Sequence, residues 1–180
     1  MLGFARLWLL LPLLFFGLIW GCQAKEPPLS PAAKAFKKEL QDCLGRLVQP
    51  LVEPVLKRDT AAINETLKKT EPDAIKLCRM CPFRIGVLDA SGDTLAVYPP
   101  KKNMRLDFYN YEVVQQALRT RKITKQRLYL QNGASLYVIC VPLLKGDRVI
   151  GLLAVALSAS EARTRWGVDE KEVMALDFNR

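Results

Sequence analysis

The sequence predicts an α+β domain in which five antiparallel strands form a sheet with helices over it, in two or three layers. Two observations predict it. Residues 31–79 carry apolar side chains at helical spacing, whereas after Pro82 the pattern turns to short strand-like runs. Those runs are separated by hairpin signals, Ser91-Gly92-Asp93, Asn132-Gly133 and Lys145-Gly146-Asp147, which demand antiparallel neighbours. The chain has 180 residues, enough for one domain with a real core and a targeting segment.

The elements follow in order. Arg6 gives a positive n-region, and Leu7 to Gly21 carry no charge. That run is shorter than the ~20 residues that span a bilayer, so it reads as a signal peptide over 1–21. Ile19-Trp20-Gly21-Cys22 resembles the lipobox of bacterial lipoproteins, although Trp20 is larger than the pattern prefers. The resemblance implies cleavage before Cys22 and diacylation of its sulfur, which makes two chains of anchor. Gln23 in place of Asp implies the outer membrane of a double-membraned cell. Residues 22–30 then form a short tether kept extended by Pro27 and Pro28.

Ser30-Pro31 starts a helix, with Ser as N-cap and Pro in the first turn. Phe36, Leu40, Cys43, Leu44, Leu47 and Val48 form its stripe. Pro50 and Pro54 interrupt, and a second helix is expected over 54–69, then a short third over 72–79. "FRIGVLDASGDTLAVYP" is a strand, a turn and a strand. Residues 99–110 read as a loop, and Asn110 can cap a helix over 111–121. Strands follow at about 123–131, 134–144 and 147–158. The tail, 161–180, holds one or two short helices, and Trp166 and the "MALDF" stretch pack back on the domain.

Charge and composition narrow the chemistry. The formal net charge is +9, of which residues 1–21 contribute only Arg6 among charged side chains. A basic balance invites an anionic ligand, a membrane surface or nucleic acid. No zinc-finger spacing, phosphate loop or basic helix with interleaved aromatics is present, so nucleic acid is not an expected partner. With no histidine, Ser-His-Asp and Cys-His catalysis and the usual His-ligated metals are excluded. No pair of acids stands out for acid-base work. No catalytic residue, cofactor or metal is expected.

The pieces "RIGVLDASGDTLAVYPP", "YEVVQQALRTRK" and "RLYLQNGASLYVICVPLLKGDRVIGLLAVALS" together resemble the extracytoplasmic Cache (PDC, PAS-like) sensor domain. The match spans about residues 34–160. It rests on the Asp-x-x-Gly hairpin through Asp89 and Gly92 and on the closing hairpin. The resemblance implies a five-stranded antiparallel sheet behind N-terminal helices. It implies a small-molecule pocket between the sheet and the middle helix and loop, and a sensing role without chemistry. The chain lacks the aromatic-Arg-Trp-Tyr set of amino-acid-binding relatives, which points away from an amino-acid ligand. No kinase, cyclase or chemotaxis output follows in the sequence, so a receptor or kinase in the membrane is the expected partner.

The candidate ligand-binding residues are Arg105, Asp107, Tyr109, Tyr111, Arg127, Tyr129 and Tyr137. Arg127 and Tyr129 lie two apart on one strand face. A guanidinium beside tyrosine hydroxyls suits a carboxylate, because its planar fork matches two oxygens. Arg105 and Asp107 could close the site from the loop. The bland alternative is the solvent face of an amphipathic strand. Cys78-x-x-Cys81 could be redox-active, ligate metal or be structural. Cys43 is a candidate disulfide partner for Cys78 or Cys81, and Cys140 reads as an apolar core residue. The alternatives to a sensor are therefore a thiol-disulfide protein of the envelope, or a structural envelope lipoprotein without ligand.

Overall fold

The structure is a computed structural model that describes residues 28–70, 84–100 and 111–179. The signal segment, Cys22, the expected helix at 72–79, Cys78, Cys81 and the loop carrying Arg105, Asp107 and Tyr109 lie outside the described residues.

Helix α1 spans Pro31–Leu56. Ser30 caps it as expected, its hydroxyl accepting from the Ala33 amide at 3.1 Å. The expected break at Pro50 and Pro54 does not occur; both prolines lie inside the helix. A proline in a helix interior costs about 3 kcal/mol. Leu44, Leu47, Leu51 and Val55 continue the apolar stripe through this stretch and are 2% exposed or less. Each returns roughly 1.5–3 kcal/mol on burial, so packing outweighs the two lost amide donors. The chain turns later, at Arg58, whose φ of 53° ends the helical run. Asp59 then caps α2, Thr60–Lys69, by accepting from the Ala62 amide at 3.0 Å.

Five strands follow: β1 Arg84–Asp89, β2 Thr94–Tyr98, β3 Thr124–Tyr129, β4 Ser135–Lys145 and β5 Arg148–Ser158. All pairings are antiparallel, in the order β2-β1-β5-β4-β3. Pro142 sits in β4 without disturbing the sheet. The β3 register ends at Thr124 opposite Cys140, so the missing amide of Pro142 removes no bond to β3.

Period-two alternation gives the sheet two buried faces. Ile85, Val87, Tyr137, Ile139, Val141, Leu153, Val155 and Leu157 join α1 and α2 in the larger core. Leu88, Val138, Cys140, Leu152 and Ala154 face the middle helix α3, Glu112–Thr120, and meet its Val113, Val114 and Ala117. The tail forms α4, Ala159–Trp166, and α5, Glu170–Ala175. It returns to the larger core through Val168, Val173, Leu176 and Phe178. Trp166 meets the Phe36 ring edge to face, 4.9 Å between centroids, and its indole N–H donates to Glu39 at 3.0 Å. Among the described residues no helix is long and apolar enough to cross a membrane.

Candidate functional site

The four candidate residues that the structure describes, Tyr111, Arg127, Tyr129 and Tyr137, do not form one cluster. Arg105, Asp107 and Tyr109 lie outside the described residues. Tyr111 stands at the N-cap of α3 without a side-chain cap bond, so the helix does not begin as Asn110 would have begun it. Its head is tied to the sheet instead. Thr124 Oγ1 donates to the Val113 carbonyl at 2.7 Å, and Gln126 Oε1 accepts from the Val113 amide at 3.3 Å. Those two β3 residues point toward α3. Arg127, Tyr129 and Tyr137 belong to the opposite face, where the tail packs.

On that face the β3–β4 register sets Arg127 opposite Tyr137 and Tyr129 opposite Ser135. The Arg127 guanidinium lies over the Tyr129 ring, 4.6 Å from its centroid, a cation–π contact. One terminal nitrogen donates to Ser135 Oγ at 3.0 Å. The other pairs with the Glu170 carboxylate, in the first turn of α5. Arg127 Nε is buried with no hydrogen-bond partner among the described residues. Tyr137 is buried beneath, and that burial raises its phenol pKa above the usual value. The Arg127 charge opposes the shift and Asp169 adds to it. Tyr129 is 73% exposed, so the cluster opens to solvent along its outer edge.

Ser135 and Glu170 were not candidates in the sequence. Ser135 was within reach, because the Asn132-Gly133 turn fixes the hairpin register and places it beside Arg127. Glu170 was not, since it lies 43 residues from Arg127 in sequence and reaches it only through the tail's return. Lys125 and Asn179 are similar. Lys125 Nζ donates to the Leu176 carbonyl. The Asn179 amide pairs with both backbone groups of Ile123, at 2.8 and 3.1 Å, as a neighbouring strand would. This occupies backbone at the start of the edge strand, a common way of blunting an exposed edge.

Asp89 of the Asp-x-x-Gly turn is structural. Its Oδ1 accepts from the Ser91 and Asp93 amides at 2.8 and 3.0 Å, while Gly92 takes φ 90°. Its Oδ2 lies 2.6 Å from an Arg58 terminal nitrogen, an ion pair without hydrogen-bond alignment. The hairpin is thereby joined to the turn between α1 and α2. Cys43 is buried in the larger core, and Cys140 carries a free thiol under α3. Burial pushes the Cys140 thiol up to about 12, the opposite of a redox-active cysteine. An open hollow of about 500 Å³ between α1 and α4 is lined by Lys38, Glu39, Asp42, Arg46 and Arg165, with both signs interspersed. It contains none of the candidate residues.

No family model matches the chain, and no curated protein matches it in sequence. Solved structures do. The domain of a sensory box/GGDEF family protein from Vibrio parahaemolyticus is 15% identical, with a TM-score of 0.53 over 78% of this chain and 60% of that one. The ligand-binding domain of the Pseudomonas aeruginosa amino acid chemoreceptor PctC, in complex with GABA, is 14% identical. Its TM-score is 0.48, over 74% of this chain and 58% of that one. The sensor domain of the Vibrio cholerae histidine kinase DctB is 13% identical. Its TM-score is 0.43, over 76% of this chain and 59% of that one. The chain thus spans about three fifths of each of these structures. At these identities the likeness is one of fold. The fold is the PAS/Cache-like one: an antiparallel five-stranded sheet, N-terminal helices on one face and a middle helix on the other.

Proposed function

We propose that the chain is an extracytoplasmic sensor of a small anionic metabolite, a carboxylate first of all. It is tethered through diacylated Cys22 to the periplasmic face of the envelope, with the outer membrane as its place, and passes its state to a receptor or kinase in the membrane. One observation carries the reading. Arg127, braced by Ser135 and the Tyr129 face at a solvent-open edge, already binds a carboxylate, that of Glu170. A guanidinium so oriented is set for carboxylate oxygens, because its donors are fixed before the ligand arrives. The sensor-type fold and the lipobox at Cys22 support the remainder. Arg105, Asp107, Tyr109 and Tyr111 remain candidates for a further ligand contact.

The test is a thermal-shift titration of the full chain in detergent micelles with acetate, succinate and longer carboxylates. Sodium chloride at equal ionic strength is the control for screening. A ligand that binds only the folded state raises the midpoint with concentration, by about 2.7 kcal/mol of stabilisation at a hundred times Kd. The expected result is a saturable rise that is lost in Arg127→Ala. No rise in a folded sample defeats the reading. Replacing both Cys78 and Cys81 with Ser should leave the rise intact. Its loss with the fold preserved would favour a thiol-based function instead.

A further inference from the structure

The Arg127 site is filled by a part of its own chain, and the way that part is fixed says how the site is regulated. We infer that Glu170 is a built-in competitor, which an incoming carboxylate displaces from Arg127 by rotation of the Glu170 side chain while the tail stays docked. This rests on the carboxylate-site reading above and adds the mechanism that sets its threshold.

Three observations separate side-chain exchange from release of the whole tail. First, the tail is bolted on both sides of Glu170. Val168, Val173, Leu176 and Phe178 are at most 5% exposed. The Gln41 amide donates to the Phe178 carbonyl at 3.3 Å, and Asn179 pairs with Ile123. Expelling four buried apolar side chains is far beyond what one ligand ion pair supplies. Second, the α5 backbone does not depend on Glu170. Its start is closed by a capping box between Asp169 and Glu172, with bonds of 2.9 and 3.0 Å. Third, the Glu170 side chain is 47% exposed, whereas that of Arg127 is 23% exposed. The carboxylate therefore has water to turn into, and the guanidinium stays in place, held by Ser135, Tyr129 and the strand.

The contacts of the guanidinium fit exchange of one carboxylate for another. One terminal nitrogen is committed to Ser135 and the other meets Glu170. Arg127 Nε is buried, so the exchange takes place at the terminal nitrogens, where Glu170 sits. A free carboxylate, unconstrained by α5, can take the place of the Glu170 carboxylate at Nη1, while the other terminal nitrogen keeps its bond to Ser135.

A tethered competitor acts at an effective concentration of the order of millimolar. It makes the site insensitive to dilute carboxylates and lets it respond to abundant ones. Removing the Glu170 charge without changing its shape should therefore tighten binding. The experiment titrates acetate and succinate into the full chain and into Glu170→Gln, following the thermal midpoint and the Arg side-chain Nε–H resonances in ¹⁵N spectra. Arg127→Lys, which lacks that group, assigns the Arg127 signal. We expect about fivefold tighter binding in Glu170→Gln, the upper end for a half-exposed ion pair. The Arg127 Nε–H signal should move on titration, and the amides of Leu176 and Asn179 should keep their positions.

Equal affinities in wild type, Glu170→Gln and Glu170→Ala overturn the competitor and leave the carboxylate site standing. No saturable binding in any of them overturns the site, and this inference with it. Tighter binding accompanied by loss of the Leu176 and Asn179 signals overturns side-chain exchange in favour of tail release. Glu170→Gln that binds no better while Glu170→Ala does would show that the glutamine amide oxygen keeps the contact with Arg127 Nη1. That result supports occupancy of the Arg127 site by residue 170.

Discussion

At the scale of single residues, the fold is most sensitive where backbone meets backbone. Gly151 in β5 is such a place. A Cβ there would run into the Leu88 carbonyl oxygen of β1 and come within 2.7 Å of Val55 Cγ1 in α1. The Val55 methyl can give, but a carbonyl inside a paired strand cannot. Gly151→Ala should therefore cost about 1–3 kcal/mol, as overpacking does. A urea titration followed by far-UV circular dichroism would read it, and an unchanged midpoint would mean that β1 and β5 lie further apart than the register requires. Cys140 gives a residue-scale prediction of another kind. Its thiol pKa rises from 9.0 to about 12 because burial disfavours the thiolate. Above pH 9 the unfolded chain releases this proton while the folded chain keeps it, so stability present below pH 9 is lost between 9 and 12. The slope approaches about 1.4 kcal/mol per pH unit. Tyr137 is shifted in the same direction but begins from 10.0. The comparison of wild type with Cys140→Ala therefore belongs at pH 8 to 10. The wild type should lose stability more steeply, and parallel curves would mean that water reaches the thiol. The core role of Cys140 was legible from its place in an apolar strand. The partner of Arg127 was not, because nothing local to β3 marks a glutamate 43 residues away.

At the scale of elements, sequence reasoning succeeded where the signal is local and failed where two local signals conflict. The Ser30-Pro31 start, the Asp89–Gly92 turn and the hairpin at Asn132-Gly133 were each legible from backbone chemistry confined to a few residues. Residues 50–56 carry opposing instructions. Pro50 and Pro54 say stop, while Leu47, Leu51 and Val55 repeat every four residues and say continue. Proline is usually given the deciding weight, because its cost is certain and the gain from burial depends on a partner not visible in the sequence. Here the partner exists in the sheet, and the helix continues to Leu56. The same logic explains the head of α3. Tyr111 offers no capping oxygen, and the chain supplies the bonds from Thr124 and Gln126 across the sheet. These two side chains alternate with Lys125 and Arg127, which reach the tail. Strand β3 thus joins the middle helix on one face to the tail on the other, a coupling that period-two alternation allows and that no single motif announces.

At the scale of the whole molecule, the two faces of the sheet are unequal, and this sets which part moves first. The larger core carries α1, α2 and the tail, with buried side chains from end to end of a 26-residue helix. The other face carries α3, nine residues long, with only Val113, Val114 and Ala117 buried. Helices shorter than about 12 residues are marginal without tertiary support. Two valines and an alanine, with two side-chain bonds to Val113, supply only several kcal/mol of it. The opening free energy of α3 should therefore lie below that of the sheet and α1, making it a separately opening unit. Native-state hydrogen exchange tests this directly. The amides of Gln116 to Thr120 should exchange at least about tenfold faster than those of Leu152 to Val155 and Leu40 to Leu47. Added denaturant should change their exchange only weakly until global unfolding takes over. If instead all of these amides share one protection factor and one denaturant slope, the two faces open together. The α3 face would then not be the pliant side of the molecule, and a ligand contact there could not be transmitted through movement of α3 relative to β3.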